Sequence, residues 1–302
     1  MPASPSATAE HIKDVNTRYH DAAAAEYDAK WGIDFGEIGQ RQVAGKLRKA
    51  TGEPPGTFAD ALEIGAGTGY FGLNLLQSGT IGRLTATDIS PGMLDSLRDS
   101  ATRLGVEADT AVTEAESLPF ADRSFDLVVG HAILHHIPDL PRAFGEFRRV
   151  LRPGGAVVFC GEPSRHGDRI AAVPKRIGHF VAPAWRAALR AGPAPAEGSC
   201  DGHELEPEVD VHSFSPGQLA ALLHGAGFVR SRVRGEELLA NAWGWTLRSL
   251  EATAEPSEVP FSWRRFGFRS YMALQRIDTA LLEPRLPPQL FYNLLLSARK
   301  PA

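Results

Sequence analysis

The chain has 302 residues, of which 43% are hydrophobic and 23% are charged, and its formal net charge is -4. This composition is ordinary for a globular enzyme. It excludes a disordered or fibrous protein and gives no reason to expect nucleic acid as a partner. The two cysteines, Cys160 and Cys200, form no C-x-x-C pair, so neither a disulfide framework nor a metal site is expected. The sequence shows no run of 18 apolar residues and no export signal, which predicts a cytoplasmic protein without a membrane span.

The hydrophobic pattern predicts an N-terminal helical segment followed by alternating strands and helices. Residues 10–50 are rich in Ala, Lys and Glu and favour helix. Apolar runs then predict strands at 58–64, 84–89, 107–113, 125–131 and 156–160, separated by helical stretches at 70–77, 92–104 and 140–151. Such alternation implies a mostly parallel sheet with helices on both faces, and ligands bind such sheets at the carboxyl ends of the strands.

The regular alternation ends near Glu162. Residues 163–212 are rich in Pro, Gly and Ala, with basic residues first and an acidic stretch after them, and we interpret them as an inserted cap. Pro174 and Pro183 are expected to prevent one long straight helix there. The apolar helical face of this segment consists of Ile170, Val173, Ile177 and Val181. The stretch 169–190 is both basic and apolar, which suggests a role at a membrane surface. The prolines that interrupt it argue against that role.

The next predicted helix and strand belong to the core, and a helical insertion follows them before the last core strand. Ser215-Pro216 opens a helix that ends at Gly225, and a strand follows at 228–234. Residues 236–283 are helical in pattern, and a last strand is predicted at 290–298. The predicted parts are a helical lid at 1–56, a ligand-binding α/β core at 57–162, the cap at 163–212, a core helix and strand at 213–235, a helical insertion at 236–286 and the last strand with its tail at 287–302.

A glycine motif directly after the first strand is the most specific functional signal. Residues 62–72 read Leu-Glu-Ile-Gly-Ala-Gly-Thr-Gly-Tyr-Phe-Gly. Glycines at this spacing let the backbone turn from a strand into a helix and approach a ligand closely. Gly67, Gly69 and Gly72 also have the G-x-G-x-x-G spacing of dinucleotide sites, so the glycines alone leave the cofactor open.

Two acidic positions follow the glycine motif. Asp88 lies at the end of the second strand, where a carboxylate can accept hydrogen bonds from both ribose hydroxyls; the alternative is a surface residue that caps the next turn. Glu114, after the third strand, is a candidate to accept from an adenine amino group, with the amide of Ala115 serving a ring nitrogen. Without the glycine motif before it, the sequence of that segment would predict only a solvated acidic loop.

Taken in order, these segments resemble the class I S-adenosylmethionine-dependent methyltransferases, most of all the branch that acts on small molecules and lipids. The resemblance runs through residues 58–162, and Phe214-Ser215-Pro216 through Gly227-Phe228 resembles the next helix and strand of the family. The matching segments are Glu63, residues 65–69, Asp88 with Ser90-Pro91-Gly92-Met93, residues 115–120, Ser124-Phe125-Asp126 and residues 151–155.

The resemblance implies a fold, a cofactor and an acceptor. The implied fold is α/β, with a Rossmann-like seven-stranded, mostly parallel sheet whose last strand is antiparallel, plus helical cap insertions. The implied cofactor is S-adenosyl-L-methionine, and the implied acceptor is a small or lipid-like molecule methylated on oxygen, nitrogen or carbon. The insertions are expected to shape the acceptor pocket.

The resemblance also assigns the cofactor-binding residues. Glu63 and the backbone of Gly65 and Gly67 are assigned to the amino-acid end, Asp88 to the ribose, and Glu114 and Ala115 to adenine. Ala66, Gly69 and Ile89 are assigned to the cofactor site as well. Met93 is expected to pack against adenine, and His131 to lie beside the methionine moiety. Thr113-Glu114 departs from the Gly-Asp pair that the family more often has.

The acidic residue before the glycines favours a cationic sulfonium ligand. A carboxylate in that place would repel a pyrophosphate, and nothing in the chain looks like a catalytic Tyr-x-x-x-Lys pair. Both observations count against a nicotinamide-dependent oxidoreductase. A protein methyltransferase and a non-catalytic cofactor-binding module stay open as further alternatives.

Methyl transfer from a sulfonium is an in-line displacement, so orientation and desolvation should supply most of the rate, and a base is needed only for a protonated acceptor. The candidate bases are His131, His135, His136 and Glu162, although a histidine before Pro138 also fits a purely structural role. Tyr19 and Tyr27 are either lid residues that meet the cofactor's carboxylate or core anchors of a helix. The aromatic stretch 261–272 would line an acceptor pocket or bury a surface between two copies, so a homodimer is left open.

Overall fold

The computed structural model describes residues 8–24, 27–28, 32–52, 56–194 and 211–302. The chain forms two compact units. The first unit comprises Met1–Glu162, Asp201–Val233 and Leu295–Ala302, and the second unit comprises Pro163–Cys200 and Arg234–Leu294. The acidic stretch of the predicted cap lies outside the described residues.

The secondary structure follows the predicted alternation closely. The helices are α1 (Ala9–Ala23), α2 (Glu37–Thr51), α3 (Tyr70–Gln77), α4 (Pro91–Leu104), α5 (Leu140–Val150), α6 (Arg165–Leu189), α7 (Pro216–Gly225), α8 (Leu239–Glu251) and α9 (Phe261–Ile277). The strands are β1 (Phe58–Ile64), β2 (Ile81–Asp88), β3 (Asp109–Val112), β4 (Phe125–His131), β5 (Leu151–Pro163), β6 (Val229–Glu236) and β7 (Asn293–Arg299). Short 3₁₀ turns cover Leu134–His136, Pro256–Glu258 and Pro288–Leu290, and a π-helical turn covers Asp278–Leu282.

Within the described residues, seven strands form one sheet in the order β3-β2-β1-β4-β5-β7-β6. β1 pairs in parallel with β2 on one side and with β4 on the other. The order of the strands therefore reverses at β1, and the crevice at the carboxyl end of such a strand is where open α/β sheets bind their ligands. The predicted fold class, with its antiparallel last strand, is confirmed.

The first unit is built around apolar side chains that the sheet and its helices share. β1 and β4 are buried along most of their length, and α3 buries Phe71, Leu73 and Leu75. Side-chain caps fix where two helices begin: Ser90 accepts from the amide of Met93 at the start of α4, and Ser215 forms a capping box with Gln218 at the start of α7. These caps hold the loops at the edges of the sheet in one conformation.

The second unit contains α6, α8 and α9, with α6 packed along α8 and α8 against α9. One continuous helix, α6, contains both Pro174 and Pro183, so the prolines do not end it. Close packing against α8 supports this helix: a Cβ atom on Gly178 would lie 2.7 Å from Cβ of Ser249. The predicted cap and helical insertion thus contribute to the same compact unit.

The structure also bears on membrane spanning. No helix in the described ranges is both long and apolar enough to cross a bilayer.

Candidate functional site

The glycine loop after β1 adopts a conformation that side-chain-bearing residues rarely take. Gly65, Gly67 and Gly69 have φ values of +61°, +53° and +96°, all in the left-handed region. A Cβ atom on Gly65 would lie 2.3 Å from the side chain of Ile133, whereas one on Gly67 would meet nothing within 4 Å. The loop is therefore tightly packed at Gly65 and open at Gly67, where a ligand can approach the backbone.

Asp88, at the carboxyl end of β2, holds this loop in place. Its Oδ2 accepts a hydrogen bond from the amide of Gly67 at 2.9 Å, and its Oδ1 accepts one from the amide of Ser90 at 2.9 Å. Burial raises the pKa of the carboxyl above its ordinary value, against the effect of these amide bonds. Asp88 thus joins the ends of β1 and β2 into one site.

Glu63 lies in β1 and points its carboxyl group at the start of α3. Both of its oxygens accept from the amide of Gly72, at 3.1 and 3.2 Å, and the side chain is 1% exposed. Burial, with a smaller contribution from the charge of Asp88, raises the pKa of Glu63 to about 8. Position 72 must be glycine for steric reasons, since a Cβ atom there would lie 2.2 Å from Oε2 of Glu63.

The loop after β3 carries two carboxylates that share one lysine of α1. Lys13 Nζ lies 2.6 Å from Oε2 of Glu114 and 3.4 Å from Oε1 of Glu116. Although burial lowers the pKa of Lys13, the two carboxylates raise it above its ordinary value. The Glu114 side chain is half exposed, whereas Glu116 is buried. The side chain to which the sequence assigns the adenine contact is therefore already paired with Lys13.

The N-terminal segment contacts the same edge of the sheet through two aspartates that the sequence analysis missed. Asp21 Oδ1 accepts from the hydroxyl of Ser90 at 2.5 Å and from the amide of Gly92 at 3.0 Å. Thr68, in the glycine loop, donates to Oδ1 of Asp28 at 2.5 Å. These bonds connect residues 40 to 71 positions apart, so no local spacing in the sequence could have revealed them.

A cluster of histidine and tyrosine rings links α1 to the turn after β4. The His20 ring lies 5.2 Å from that of Tyr19, 6.2 Å from that of Tyr27 and 5.6 Å from that of His136, between ring centroids. Burial and the nearby His135 lower the pKa of His20 to about 4. Burial and the charge of Asp88 raise the pKa of Tyr27 to about 12. The N-terminal segment therefore places its rings near both Asp88 and the predicted catalytic histidines.

Glu162, in β5, organises the turn that carries these histidines. Its Oε1 accepts from the amides of Ile133 and Leu134, both at 3.0 Å, and its Oε2 lies 2.9 Å from Nδ1 of His135. The side chain is 0% exposed. A carboxylate in this position fixes the orientation of the imidazole and stabilises its protonated form. Glu162 is thereby a positioning residue for His135.

The remaining predicted site residues are His131, Met93, Ala115 and Ile89. His131 ends β4 and stacks on Phe71 with 5.7 Å between ring centroids. Ala132, directly after it, has a φ of +53°, a strained conformation for a residue with a Cβ. Met93 is 1% exposed, so its side chain belongs to the packed interior of the unit. Ala115 is buried, and Ile89 is partly exposed. The cofactor and catalytic assignments of all these residues stay predictions.

Comparison with known proteins identifies the domain that carries this site. Residues 62–159 match the family model described as "Methyltransferase domain". A malonyl-[acyl-carrier protein] O-methyltransferase from Methylococcus capsulatus is 38% identical over 139 residues, which are 46% of this chain and 48% of that protein. The mitochondrial arginine-hydroxylase NDUFAF5 of Mus musculus is 30% identical over 237 residues, which are 78% of this chain and 59% of that protein.

A solved structure shares the fold. A phosphoethanolamine N-methyltransferase 2 of Haemonchus contortus, in complex with phosphomonomethylethanolamine and S-adenosylhomocysteine, aligns with a TM-score of 0.61 at 17% identity, over 98% of this chain and 61% of that one. The chain spans about half the length of the curated relatives it matches first. The glycine loop, β2 and Asp88 lie inside the matched residues, which begin within β1. The first unit therefore contains a methyltransferase domain.

Proposed function

We propose that this protein transfers a methyl group from S-adenosylmethionine to a small-molecule or lipid-like acceptor. The observation that carries the proposal is the 2.9 Å bond between the Gly67 amide and Asp88, which joins an open glycine turn to a carboxylate at the reversal point of the sheet. The family match over residues 62–159 supports it. When bound, the cofactor supplies an electrophilic methyl group on a sulfonium.

The charges around the loop fit a cationic ligand. Glu63 and Asp88 are buried carboxyls, and in the described part of the chain no lysine or arginine forms a salt bridge with either. Because the carboxyl groups of Glu63 and Asp88 are buried and no such cation of the described residues pairs with them, their pKa values are raised. A ligand with an ammonium and a sulfonium would favour their ionised forms, whereas a pyrophosphate would be repelled.

Asp88 is the residue we assign to the cofactor's ribose. Its oxygens accept backbone bonds from Gly67 and Ser90, and a carboxylate oxygen can accept more than one hydrogen bond. The loop amides thus fix the carboxylate before the ligand arrives, which lowers the cost of binding. Tyr27, whose pKa reflects the charge of Asp88, is a candidate to cover the ligand from the N-terminal segment.

For acceptors that must lose a proton, we assign the base to His135 and its orientation to Glu162. In the tautomer that donates from Nδ1 to Glu162, Nε2 carries the lone pair that can take a proton. The buried carboxylate stabilises the imidazolium that forms. His131 and His136 remain alternative candidates, and acceptors that arrive deprotonated need no base.

The acceptor class draws support from the relatives. Several of them are named malonyl-[acyl-carrier protein] O-methyltransferases. We infer that an acyl or similarly lipid-like acceptor is the first class to test. The name of the mouse relative specifies hydroxylation instead, so the assay must measure transfer of the methyl group itself. Homodimer formation and a cytoplasmic location stay predictions.

Methyl transfer is tested by incubating the full chain with methyl-labelled S-adenosylmethionine and separate pools of acyl thioesters, lipids, small amines and peptides. The proposal predicts label in a small-molecule or lipid pool. Label confined to peptides would assign a protein methyltransferase, and no transfer to any pool despite cofactor binding would contradict the proposal.

The role of Glu162 is tested on the accepted substrate. Glu162→Gln should move the acid limb of the pH–rate profile to lower pH, because the variant cannot stabilise the imidazolium of His135. Glu107→Gln, an exposed residue of the same unit, is the matched control. An unchanged profile in Glu162→Gln would remove His135 as the base.

A further inference from the structure

The second unit exposes large apolar side chains along one side of α6. Exposed fractions range from 38% at Val181 to 86% at Phe180. The side chains are spaced by three and four residues, which places them on one face of the helix. This exposed apolar face consists of Ile170, Val173, Ile177, Phe180 and Val181.

The opposite side of α6 is fixed by packing. Ala171, Gly178 and Ala182 are buried there. Gly178 lets α8 approach closely, and Lys175 Nζ lies 4.0 Å from the centroid of the Trp245 ring on α8. The exposed apolar face therefore has a fixed orientation within its unit and is not one side of a freely rotating helix.

Basic side chains lie directly beside the apolar face. Arg165, Arg169 and Arg176 are exposed and occupy the part of the helix surface next to Val173 and Phe180. Within its 25 residues, α6 contains five Lys and Arg and one acidic residue. The exposed surface of α6 is thus divided lengthwise into an apolar half and a basic half.

A second helix of this unit repeats the combination. Phe261 and Phe268 on α9 are 76% and 51% exposed. Arg264, Arg265 and Arg269 are exposed on the same helix, whose 17 residues include no Asp or Glu. The basic and apolar character therefore extends beyond α6.

We propose that the second unit docks on an anionic lipid surface through the exposed apolar face of α6 and the arginines beside it. Helices that lie in a membrane interface combine a stripe of aromatic and aliphatic residues with a basic polar face. The prolines, which count against this role in the sequence, do not interrupt α6. The proposal does not depend on methyl transfer.

The charge and shape of the surface favour lipid over other occupants. A symmetric contact with a second copy would bring the basic halves of two α6 helices together, which like-charge repulsion opposes. An acidic protein would match the arginines, but it would also need a cavity for the protruding Phe180 side chain. A fluid acyl layer accepts such a side chain without a preformed cavity, and an anionic leaflet attracts the arginines.

The test is co-sedimentation of the full chain with vesicles of phosphatidylcholine alone and of phosphatidylcholine containing phosphatidylglycerol. Two double variants address the two halves of the surface: Val173→Ser with Phe180→Ser, and Arg169→Gln with Arg176→Gln. Matched controls are Val112→Ser and Arg41→Gln, an exposed apolar residue and an exposed arginine of the first unit. Circular dichroism melting of each variant checks that the fold is retained.

The proposal predicts binding to the anionic vesicles that weakens with added salt. The apolar double variant should bind the vesicles at least roughly tenfold more weakly, because the transfer of the Phe180 side chain from water into the lipid is lost. The arginine double variant should lose about fivefold for each arginine. Both controls should bind like the wild type.

Three results would overturn the proposal. The first is that the full chain does not bind anionic vesicles at low salt. The second is that both double variants bind as the wild type does. The third is that the wild type binds neutral vesicles as strongly as anionic vesicles. A dimer seen in sedimentation velocity that Phe180→Ser dissociates, without vesicle binding, would assign the surface to a second copy. Binding to polyglutamate without vesicle binding would assign it to an acidic protein.

Discussion

The first unit carries 19 Lys and Arg against 27 Asp and Glu, whereas the second unit carries 13 against 9. Their apolar side chains differ as well. In the first unit Phe144, Phe147 and Val150, spaced by three along α5, are completely buried, but the periodic apolar residues of α6 in the second unit are exposed. Hydrophobic periodicity thus identifies a face of a helix without revealing what covers it.

The two units also use buried carboxylates differently. In the first unit, Asp88 and Glu162 bond to loop amides at the carboxyl ends of strands, where they shape the candidate site. In the second unit, Asp278 is completely buried and accepts from the amides of Leu239 and Ala240 at 3.0 and 2.8 Å, which caps α8 from a distant turn. Comparable chemistry shapes the candidate site in one unit and supports helix packing in the other.

The largest effect is expected at the contact between β1 and α3. Gly72→Ala should destabilise the first unit by about 3 kcal/mol, since its new methyl group would overlap the Glu63 carboxyl. The control is Gly145→Ala in α5, where a Cβ atom meets nothing within 4 Å and which should stabilise by about 0.5–1 kcal/mol. Urea unfolding followed by circular dichroism measures both. Equal effects of the two substitutions would show that the Glu63 contact is not tight.

A smaller effect is expected at the cap of the second unit. Asp278→Ala should cost about 2 kcal/mol, because two amides at the start of α8, one of them buried, lose their acceptor. Tryptophan fluorescence reports this change, since four of the five tryptophans, at positions 185, 243, 245 and 263, belong to the second unit. Asp278→Asn keeps an acceptor oxygen and should recover about half of the loss. No difference between the Ala and Asn variants would contradict the capping role.

The smallest effect concerns Glu63 and depends on pH. With a folded pKa of about 8 and an unfolded value of 4.5, this carboxyl binds more protons in the folded state, so its contribution to stability is present below pH 4.5 and is lost as pH rises through 8. Glu63→Gln should therefore lie closest to the wild type in stability near pH 5 and exceed it increasingly as pH rises toward 8. Thermal melting at both pH values measures the difference. A wild type that gains stability over the variant as pH rises would contradict the raised pKa.

Local signals made much of the first unit predictable. The predicted ranges 58–64, 70–77 and 125–131 coincide with β1, α3 and β4, because buried strands are continuous apolar runs and glycines mark the turn between β1 and α3. The bounds of β5 were less predictable: the strand covers Leu151–Pro163, and its pairing with β4 includes Leu151, outside the apolar centre at 156–160.

The remaining features depend on contacts that no sequence window contains. The bonds of Asp21 and Asp28 to the sheet edge and the pairing of Lys13 with Glu114 all bridge distant positions. The exposure of Phe180 depends in the same way on which face of α6 meets α8. For the same reason, Pro174 could sit inside a helix that tertiary packing supports.

The central claim is that the first unit holds S-adenosylmethionine through its glycine loop and Asp88. Calorimetric titration with S-adenosylhomocysteine, with NADH as the competing ligand class, tests it on the wild type, Asp88→Ala and the exposed control Asp99→Ala. The account predicts binding of S-adenosylhomocysteine by the wild type and the control, at least tenfold weaker binding by Asp88→Ala, and no heat with NADH. Binding of NADH, or equal affinity in all three proteins, would contradict it.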